Sequence, residues 1–276
     1  YADAYSNMSA VYIDQGKLDY ALEACKKAIF YKPNSELAYN NMGSILKDQT
    51  KFKEAVQAYK KAILLKPDYA DAYSNMAIAL KNLGKLTDAL KAYKKSISLK
   101  PNSASYHNNI GTTLKDLGKL DEAIKAYEMA ILLKPDFASA HKNLSFAYLN
   151  RGEFKKGFEE YEWRWKTTEF LSQKRNFIQP MWDGEKSLSG KRILVWYEQG
   201  IGDTIMWSSR LSLISSKSKH CILECQEKLL PLFKRSFPNI EIKGEDRSFD
   251  LERDDIDFHL PMGNIYKNLI QEMSTN

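Results

Sequence analysis

Cysteine and long apolar runs are scarce in this 276-residue sequence. Three cysteines, Cys25, Cys221 and Cys225, are too few for the disulfide framework of a small secreted domain. Only His220 lies close to Cys221 and Cys225, so we expect no metal site and interpret these residues as buried thiols in a reducing compartment. No apolar run approaches the roughly 18–20 residues that cross a bilayer, which argues against a membrane span.

The sequence is rich in charged residues and long enough for more than one domain. Apolar residues make up 43% and charged residues 28%, a composition typical of a soluble globular protein, and the length allows two domains. The net charge of +6 comes largely from lysines that we expect to face solvent, so nucleic acid is not predicted as a partner. A cytoplasmic location is the default expectation.

A repeat organises the first part of the sequence. The octapeptide YADAYSNM occurs at residues 1–8 and again at 69–76, and prolines follow the same rhythm at Pro33, Pro67, Pro101 and Pro135. The period of 34 residues is the signature of tetratricopeptide repeats, in which helical hairpins bury their apolar faces by stacking. We therefore predict an α-helical solenoid, a right-handed superhelix of helical hairpins, over residues 1–165, with a divergent fifth repeat.

Glycine, alanine and proline mark the architecture of each repeat. Small residues on the two helices, such as Gly43 and Ala55, are predicted to let the backbones approach closely. Glycine is expected at the turn between helices, with Thr50 as the exception. The recurring prolines are expected to end each second helix because proline removes a backbone donor.

Asparagine and aspartate recur on the first helix of the repeats. Seven residues separate the two sets, close to two helical turns, so both lie on one face. First helices line the concave groove of this solenoid type, and a carboxamide pairs with any peptide backbone because it both donates and accepts. The predicted peptide-binding residues are Asn7, Asn41, Asn75, Asn109, Asn143, Asp14, Asp48 and Asp116.

A structural interpretation of the asparagines stands beside this one. At the same register they can bridge adjacent repeats instead of facing a ligand. A clamp for acidic C-termini would need lysine before the asparagine, and only Lys142-Asn143 has it. Chaperone tails are therefore not expected as partners.

The rhythm stops after residue 165. Residues 166–190 are interpreted as a connecting segment, and short β-branched runs then alternate with helical patterns. This alternation predicts a parallel sheet with helices on its faces, hence a partial Rossmann-like α/β domain over residues 191–276. The aromatic run YEWRW at 161–165 is interpreted as the surface that docks this domain, with a solvent-capping helix as the alternative.

A glycine turn lies between the first predicted strand and a helix predicted from Thr204 to Ser216. Gly200 and Gly202 would place backbone N–H groups at a helix N-terminus, which forms an anion or ligand loop. Asp203 would lie at the helix start as a general base, or as a simple N-cap. The third glycine of the dinucleotide fingerprint is missing, so an NAD enzyme is not predicted.

Two family resemblances join these observations. The repeats, especially residues 67–97, resemble those of O-linked N-acetylglucosamine transferases, whose asparagine ladder grips substrate peptide. Residues 161–165 and 191–211 are similar to bacterial repeat proteins with a C-terminal domain of the heptosyltransferase type, a GT-B glycosyltransferase. This second resemblance implies that Asp203 is a catalytic base and that the full-length parent uses a nucleotide-sugar donor.

The resemblance also limits what this chain can do. In that family the donor is bound by a second half, and too few residues follow Gly190 to form it. We therefore expect no cofactor in this chain and no activity of the fragment alone. The predicted function is a repeat scaffold that binds peptides or proteins, fused to part of a glycosyltransferase-like domain. The alternative is a non-catalytic interaction scaffold.

Overall fold

The computed structural model describes residues 1–171, 173–198, 200–247, 250 and 253–273. Its internal contacts divide the chain into two units, Tyr1–Ala147 and Tyr148–Asn276. None of the helices in these described ranges is long and apolar enough to cross a membrane.

Helical hairpins form the first unit, which confirms the predicted helical solenoid. In the first four hairpins, each first helix is followed, after a short turn, by a second helix that is one residue longer. The helices are α1 (Ala2–Asp14), α2 (Leu18–Tyr31), α3 (Glu36–Asp48), α4 (Phe52–Leu65), α5 (Ala70–Asn82), α6 (Leu86–Leu99), α7 (Ala104–Asp116), α8 (Leu120–Leu133) and α9 (Ala138–Asn150).

The turns and helix ends follow the predicted sequence signals. Gly16 and Gly84 have φ angles of 69° and 73°, in the left-handed region that favours glycine. Thr50 holds the equivalent turn at a φ of 60°, so the exception in the sequence adopts the same backbone. At the other end, Lys32 precedes Pro33 with φ −141° and ψ 87°, because a residue before proline is driven out of the helical region.

A close contact between the two helices of a hairpin lies at the centre of the unit. A Cβ atom added to Gly43 would lie 2.5–2.8 Å from ring carbons of Tyr59, which is fully buried. Gly111 meets Tyr127 in the same way two repeats later. The small residues therefore give space to a tyrosine ring as well as bringing backbones together.

A small parallel sheet forms the centre of the second unit. Its strands are ordered β3-β2-β1-β4, and every pairing is parallel. The elements are α10 (Phe154–Tyr161), α11 (Thr168–Leu171), β1 (Arg192–Trp196), α12 (Ile201–Trp207), α13 (Leu211–Lys217), β2 (His220–Cys225), α14 (Leu230–Ser236), β3 (Glu241–Gly244), β4 (Phe258–Pro261) and α15 (Ile265–Met273).

One predicted helix differs from the observed structure. The sequence pattern predicts a single helix over 204–216, whereas α12 begins at Ile201 and a 3-10 turn at Ser208–Arg210 separates it from α13. The earlier start follows from Gly200, which serves as the N-cap in extended backbone conformation.

Both faces of the sheet are buried. Ile193 and Val195 of β1 pack on one side, and Leu194 and Trp196 pack on the other. Cys221 and Cys225 lie on the first of these faces, as their spacing along β2 predicts. Burial raises the pKa of the Cys221 thiol to about 12, so both cysteines are the buried thiols expected from the sequence.

The division between the units differs from the predicted boundary at residue 165. Helix α10 belongs to the second unit because Phe158 and Tyr161 pack against Trp207. The predicted connecting segment 166–190 also packs into this unit. Trp182 is 3% exposed, and its backbone N–H donates to the carbonyl of His259 in β4.

The contact between Gly43 and Tyr59 predicts that the effect of Gly43→Ala on stability depends on the tyrosine ring. Gly43→Ala should gain about 1 kcal/mol of helix propensity but lose more to overpacking, for a net destabilisation of about 1–2 kcal/mol. Thermal unfolding followed by circular dichroism measures this change. In a Tyr59→Ala background the ring is absent, so the same Gly43→Ala change should be neutral or stabilising. A loss of stability of equal size in both backgrounds would contradict the contact.

Candidate functional site

The asparagine ladder on the first helices is partly engaged in contacts between repeats. Asn41 is 7% exposed, and its Nδ2 donates to the carbonyl oxygen of Ser6 at 2.9 Å and to Oγ of Ser9 at 2.8 Å. These partners lie on α1, one repeat earlier. The carboxamide of Asn41 therefore joins α3 to α1 and is not available to a ligand.

The same bridge recurs at two further ladder positions. Nδ2 of Asn75 donates to Oδ1 of Asn40 at 3.3 Å, and Nδ2 of Asn143 donates to Oδ1 of Asn108 at 2.9 Å. At Asn41, Asn75 and Asn143 the structural interpretation of the ladder therefore holds. The prediction that all five carboxamides line a groove for a ligand needs correction, because three of them donate hydrogen bonds to buried polar residues of the preceding repeat.

Asn7 and Asn109 differ from the bridging positions. Asn7 is exposed, and Asn109 is half-buried. Within the part of the chain that the structure describes, the side chain of Asn109 makes no hydrogen bond, while its backbone carbonyl accepts one from Thr113. These two carboxamides remain candidates for contact with a ligand.

A charged row runs beside the ladder. Asp14, Asp48 and Asp116 are all exposed at the ends of their helices. Nζ of Lys47 lies 3.2 Å from Oδ1 of Asp48, and Nζ of Lys81 lies 3.3 Å from Oδ2 of Asp116 on the next first helix. The aspartates are thus partly neutralised, and we call this surface of ladder and charged row the first-helix face.

Two tyrosines lie beneath this charged row. Burial, with a smaller contribution from Asp48, raises the pKa of Tyr59 to about 12, and burial likewise raises the pKa of Tyr127 to about 12. The hydroxyl of Tyr59 lies 3.3 Å from Oγ of Ser44 on α3, a hydrogen bond that connects the buried ring to the first-helix face. Both hydroxyls therefore stay protonated at neutral pH and serve as structural groups.

The glycine turn of the second unit brings Gly200, Gly202 and Asp203 to the end of β1. Gly200 is the N-cap of α12, and Asp203 lies in the first turn, half-buried. The N-cap interpretation of Asp203 is therefore wrong, since Gly200 occupies that position. A carboxylate in the first turn is favoured by the helix dipole. Oγ1 of Thr204 donates to the carbonyl of Gly200 at 3.0 Å, which fixes the turn.

A buried ion pair lies where β1 and β4 end. Nη2 of Arg164 donates to both carboxylate oxygens of Glu198 at 3.0 Å, and the backbone N–H of Gly263 donates to Oε1 at 2.8 Å. Arg164 is fully buried and also contacts Oδ1 of Asn264. Burial raises the pKa of Glu198, and the Arg164 guanidinium opposes that shift.

Glu224 at the end of β2 takes part in a second ionic cluster. Its two oxygens each accept a hydrogen bond of 2.6 Å, one from Arg175 and one from Arg253. Arg175 also pairs with Asp250, so the carboxyl edge of the sheet is lined with side chains that neutralise one another. In ligand-binding sheets of this kind this edge receives the ligand.

Sequence comparison settles the family. Models described as TPR or tetratricopeptide repeat match residues 2–35, 43–84, 70–103, 92–125 and 111–152. The chain belongs to the tetratricopeptide-repeat family. Its first unit is the repeat array.

Proteins similar to the chain share this array. A protein named FlbA from Caulobacter vibrioides is 34% identical over 90 residues, a match that spans 31% of the chain but only 15% of FlbA. A MamA structure from Desulfovibrio magneticus superposes with a TM-score of 0.53 at 22% identity, covering 58% of the chain and 91% of MamA. The protein TTC0263 from Thermus thermophilus gives a TM-score of 0.54 at 20% identity, covering 61% and 92% of the two chains. At these identities the likeness establishes the fold.

Several residues at these sites do not follow from the sequence reasoning. Lys47 and Lys81 are one repeat apart, so the spacing of the tetratricopeptide array itself could have shown them. Arg164 stands where earlier repeats have a small residue, so the sequence marks it as a departure. Its aromatic neighbours pack on the sheet as the docking interpretation expects, and the ring centroids of Trp165 and Trp196 lie 5.9 Å apart. Its pairing with Glu198 required the folded sheet.

The bridging role of Asn41 predicts a loss of stability. Asn41→Ala removes two buried hydrogen bonds and should lower the free energy of unfolding by about 1–3 kcal/mol. Asn7→Ala, at the same register but exposed, should change it by less than about 0.5 kcal/mol. Denaturant titration followed by far-ultraviolet circular dichroism compares the two. Equal stabilities would mean that Asn41 does not join the repeats.

The pair of Arg164 and Glu198 predicts non-additive mutations. Arg164→Met should cost about 3–5 kcal/mol because it leaves a buried carboxylate without its cation, whereas Arg164→Met combined with Glu198→Gln should recover most of that loss. All five tryptophans lie in the second unit, so tryptophan fluorescence during urea unfolding isolates its stability. Additive losses would reject the coupling.

Proposed function

We propose that the chain is a protein-interaction scaffold whose first-helix face binds extended segments of partner proteins. The observation that carries the proposal is the set of polar side chains that the first helices leave accessible on one face, namely Asn7, Asn109, Asp14, Asp48 and Asp116. A tetratricopeptide array is suited to this role because each added repeat extends the same surface.

The spacing of the helices supports an extended ligand. Packed helix axes lie about 8–10 Å apart, and an extended peptide advances about 3.4 Å per residue. Each first helix would therefore meet about every third peptide residue. The carboxamide of Asn109 both donates and accepts hydrogen bonds. It can therefore pair with the backbone of a bound peptide whatever the side chains of that peptide are.

The energetics require more than the carboxamides. A hydrogen bond contributes about 1 kcal/mol net, so the two carboxamides not used between repeats, Asn7 and Asn109, give about 2 kcal/mol, which corresponds to a dissociation constant weaker than millimolar. Asp14, Asp48 and Asp116 would add charge-assisted contacts to serine, threonine or basic residues of the ligand. Because Lys47 and Lys81 partly neutralise two of these aspartates, the face as a whole favours no single sign of charge.

Asn109 provides the sharpest test because its side chain is not used between repeats. A peptide array identifies a ligand of the full chain, and fluorescence anisotropy then measures its affinity. Asn109→Ala should weaken binding about fivefold, the equivalent of one hydrogen bond, with an unchanged melting temperature. Asn102→Ala, which removes the same group from an exposed turn, is the matched control. Equal affinities for both variants would reject the face as the binding site.

A second candidate function concerns the sheet unit. The order β3-β2-β1-β4 agrees with the first strands of doubly wound nucleotide-binding sheets, and Gly202-Asp203 follows β1 as the glycosyltransferase resemblance implies. In a longer parent with a donor-binding half, Asp203 would then accept a proton from the acceptor hydroxyl. The ionic clusters along the same edge favour a structural role instead.

Nucleotide-sugar binding separates the two candidates. Isothermal titration calorimetry measures the binding of a panel of nucleotide-sugar donors to the full chain and to a longer parent. If the sheet unit is half of a transferase, the parent should bind a donor. Asp203→Asn should then abolish transfer while leaving donor affinity unchanged. An absence of binding across the panel by both proteins would leave the scaffold function alone.

A further inference from the structure

A second groove lies on the array, away from the first-helix face. It has a volume of about 700 Å³ and is formed by α4, α5 and α6. Its floor is apolar and consists of Val56, Tyr73, Met76 and Leu80. Asn75 and Asn82 lie two residues from Tyr73 and Leu80 on α5, hence about 200° around the helix, so the groove and the asparagine ladder occupy opposite sides of α5.

Lysines surround this apolar floor. The rim holds one acidic residue, Asp88, against Lys53, Lys60, Lys85, Lys91 and Lys95. Nζ of Lys91 lies 3.8 Å from Asp88, whereas Lys53, Lys60, Lys85 and Lys95 make no ion pair with any residue that the structure describes. The groove therefore has a strong excess of positive charge that the chain leaves unneutralised.

The α4 side of this groove is more basic than the corresponding side one repeat earlier. One repeat earlier, Asp19 and Glu23 stand at the positions of Lys53 and Gln57. There Oε1 of Glu23 lies 3.2 Å from Nζ of Lys26, the counterpart of Lys60. Because Gln57 stands at the position of Glu23, Lys60 has no carboxylate partner there. Lys53 places a positive charge where Asp19 places a negative one.

The dimensions fit about two turns of a helix. Lys53 and Lys60 are seven residues apart on α4, which is about 10 Å along the axis, and Asp88 and Lys95 span the same length on α6. Tyr73, Met76 and Leu83 are half-buried, so apolar side chains of a partner can cover them. A helix docked in a groove presents anchors at positions i, i+3 or i+4, and i+7, which match this length.

We propose that this groove binds an acidic amphipathic helix of a partner protein. Apolar anchors of the helix cover Tyr73, Met76 and Leu83. Carboxylates on one flank of the helix meet Lys53 and Lys60 of α4. Carboxylates on the other flank meet Lys91 and Lys95 of α6. The groove favours such a helix over nucleic acid because its floor is largely aliphatic, whereas stacking of bases needs a series of exposed aromatic rings. This site goes beyond the first-helix face and does not depend on it.

The test uses the full chain and a labelled synthetic helix of about 14 residues, with leucines at the anchor positions and glutamates on both flanks. Fluorescence anisotropy should show binding that weakens with salt, because charges at an exposed rim are screened. Lys60→Glu with Lys95→Glu should weaken it about tenfold at low ionic strength. Lys61→Glu with Lys94→Glu changes the net charge equally from neighbouring positions outside the groove, and should leave affinity within about twofold.

Three outcomes would overturn the proposal: equal weakening by both double variants, undiminished binding of a peptide with lysines in place of the glutamates, or tighter binding of single-stranded DNA that the groove variant abolishes. All the substituted lysines are exposed, so circular dichroism should show unchanged folding. Asn109→Ala should not alter binding of the acidic helix, which keeps this result separate from that on the first-helix face.

Discussion

The contact of a tyrosine ring with a glycine of the facing helix sets the spacing of the two helices in the second and fourth hairpins of the array. Tyr59 on Gly43 and Tyr127 on Gly111 hold the two helices of a hairpin so closely that even a methyl group does not fit between them. With the hairpin interior closed in this way, the remaining side chains of each helix must either join the next repeat or face solvent. The two surfaces for which we propose binding are made from the side chains that face solvent.

Residues at one register of the first helices differ in whether they join adjacent repeats. Asn41 is buried and joins two repeats, whereas Asn109 at the same register has no side-chain partner among the described residues. One repeat earlier, Asn41 has the hydroxyl of Ser9 as an acceptor, whereas the equivalent position before Asn109 is Ala77. A periodic residue in a solenoid is therefore first a candidate for contact between repeats. Residues that vary between repeats, such as Gln57 where the preceding repeat has Glu23, distinguish one groove of the array from another.

The sheet unit depends on buried ion pairs as well as on its apolar core. Arg164 and Glu198 connect the 3-10 turn after α10 to the ends of β1 and β4, and Glu224 takes hydrogen bonds from two arginines. Such pairs contribute little net stability, but the loss of one partner is costly, so they restrict the ways in which the sheet can pack. They also occupy the edge at which related sheets bind ligands. The glycine turn with Asp203 follows β1 at this same edge.

The sequence by itself determined the helical hairpins, their turns and their ends, because each depends on local backbone preferences that recur every repeat: Pro33 ends α2, and Gly16 adopts the left-handed turn. It also determined the parallel strands, since buried β-branched runs such as 192–196 alternate with helical patterns. Only the tertiary structure decided which carboxamides form hydrogen bonds between repeats, which carboxylate Arg164 pairs with, and where the lysines of α4 and α6 come together. These outcomes depend on distances between residues that are remote along the chain, and local preferences contain no information about such distances.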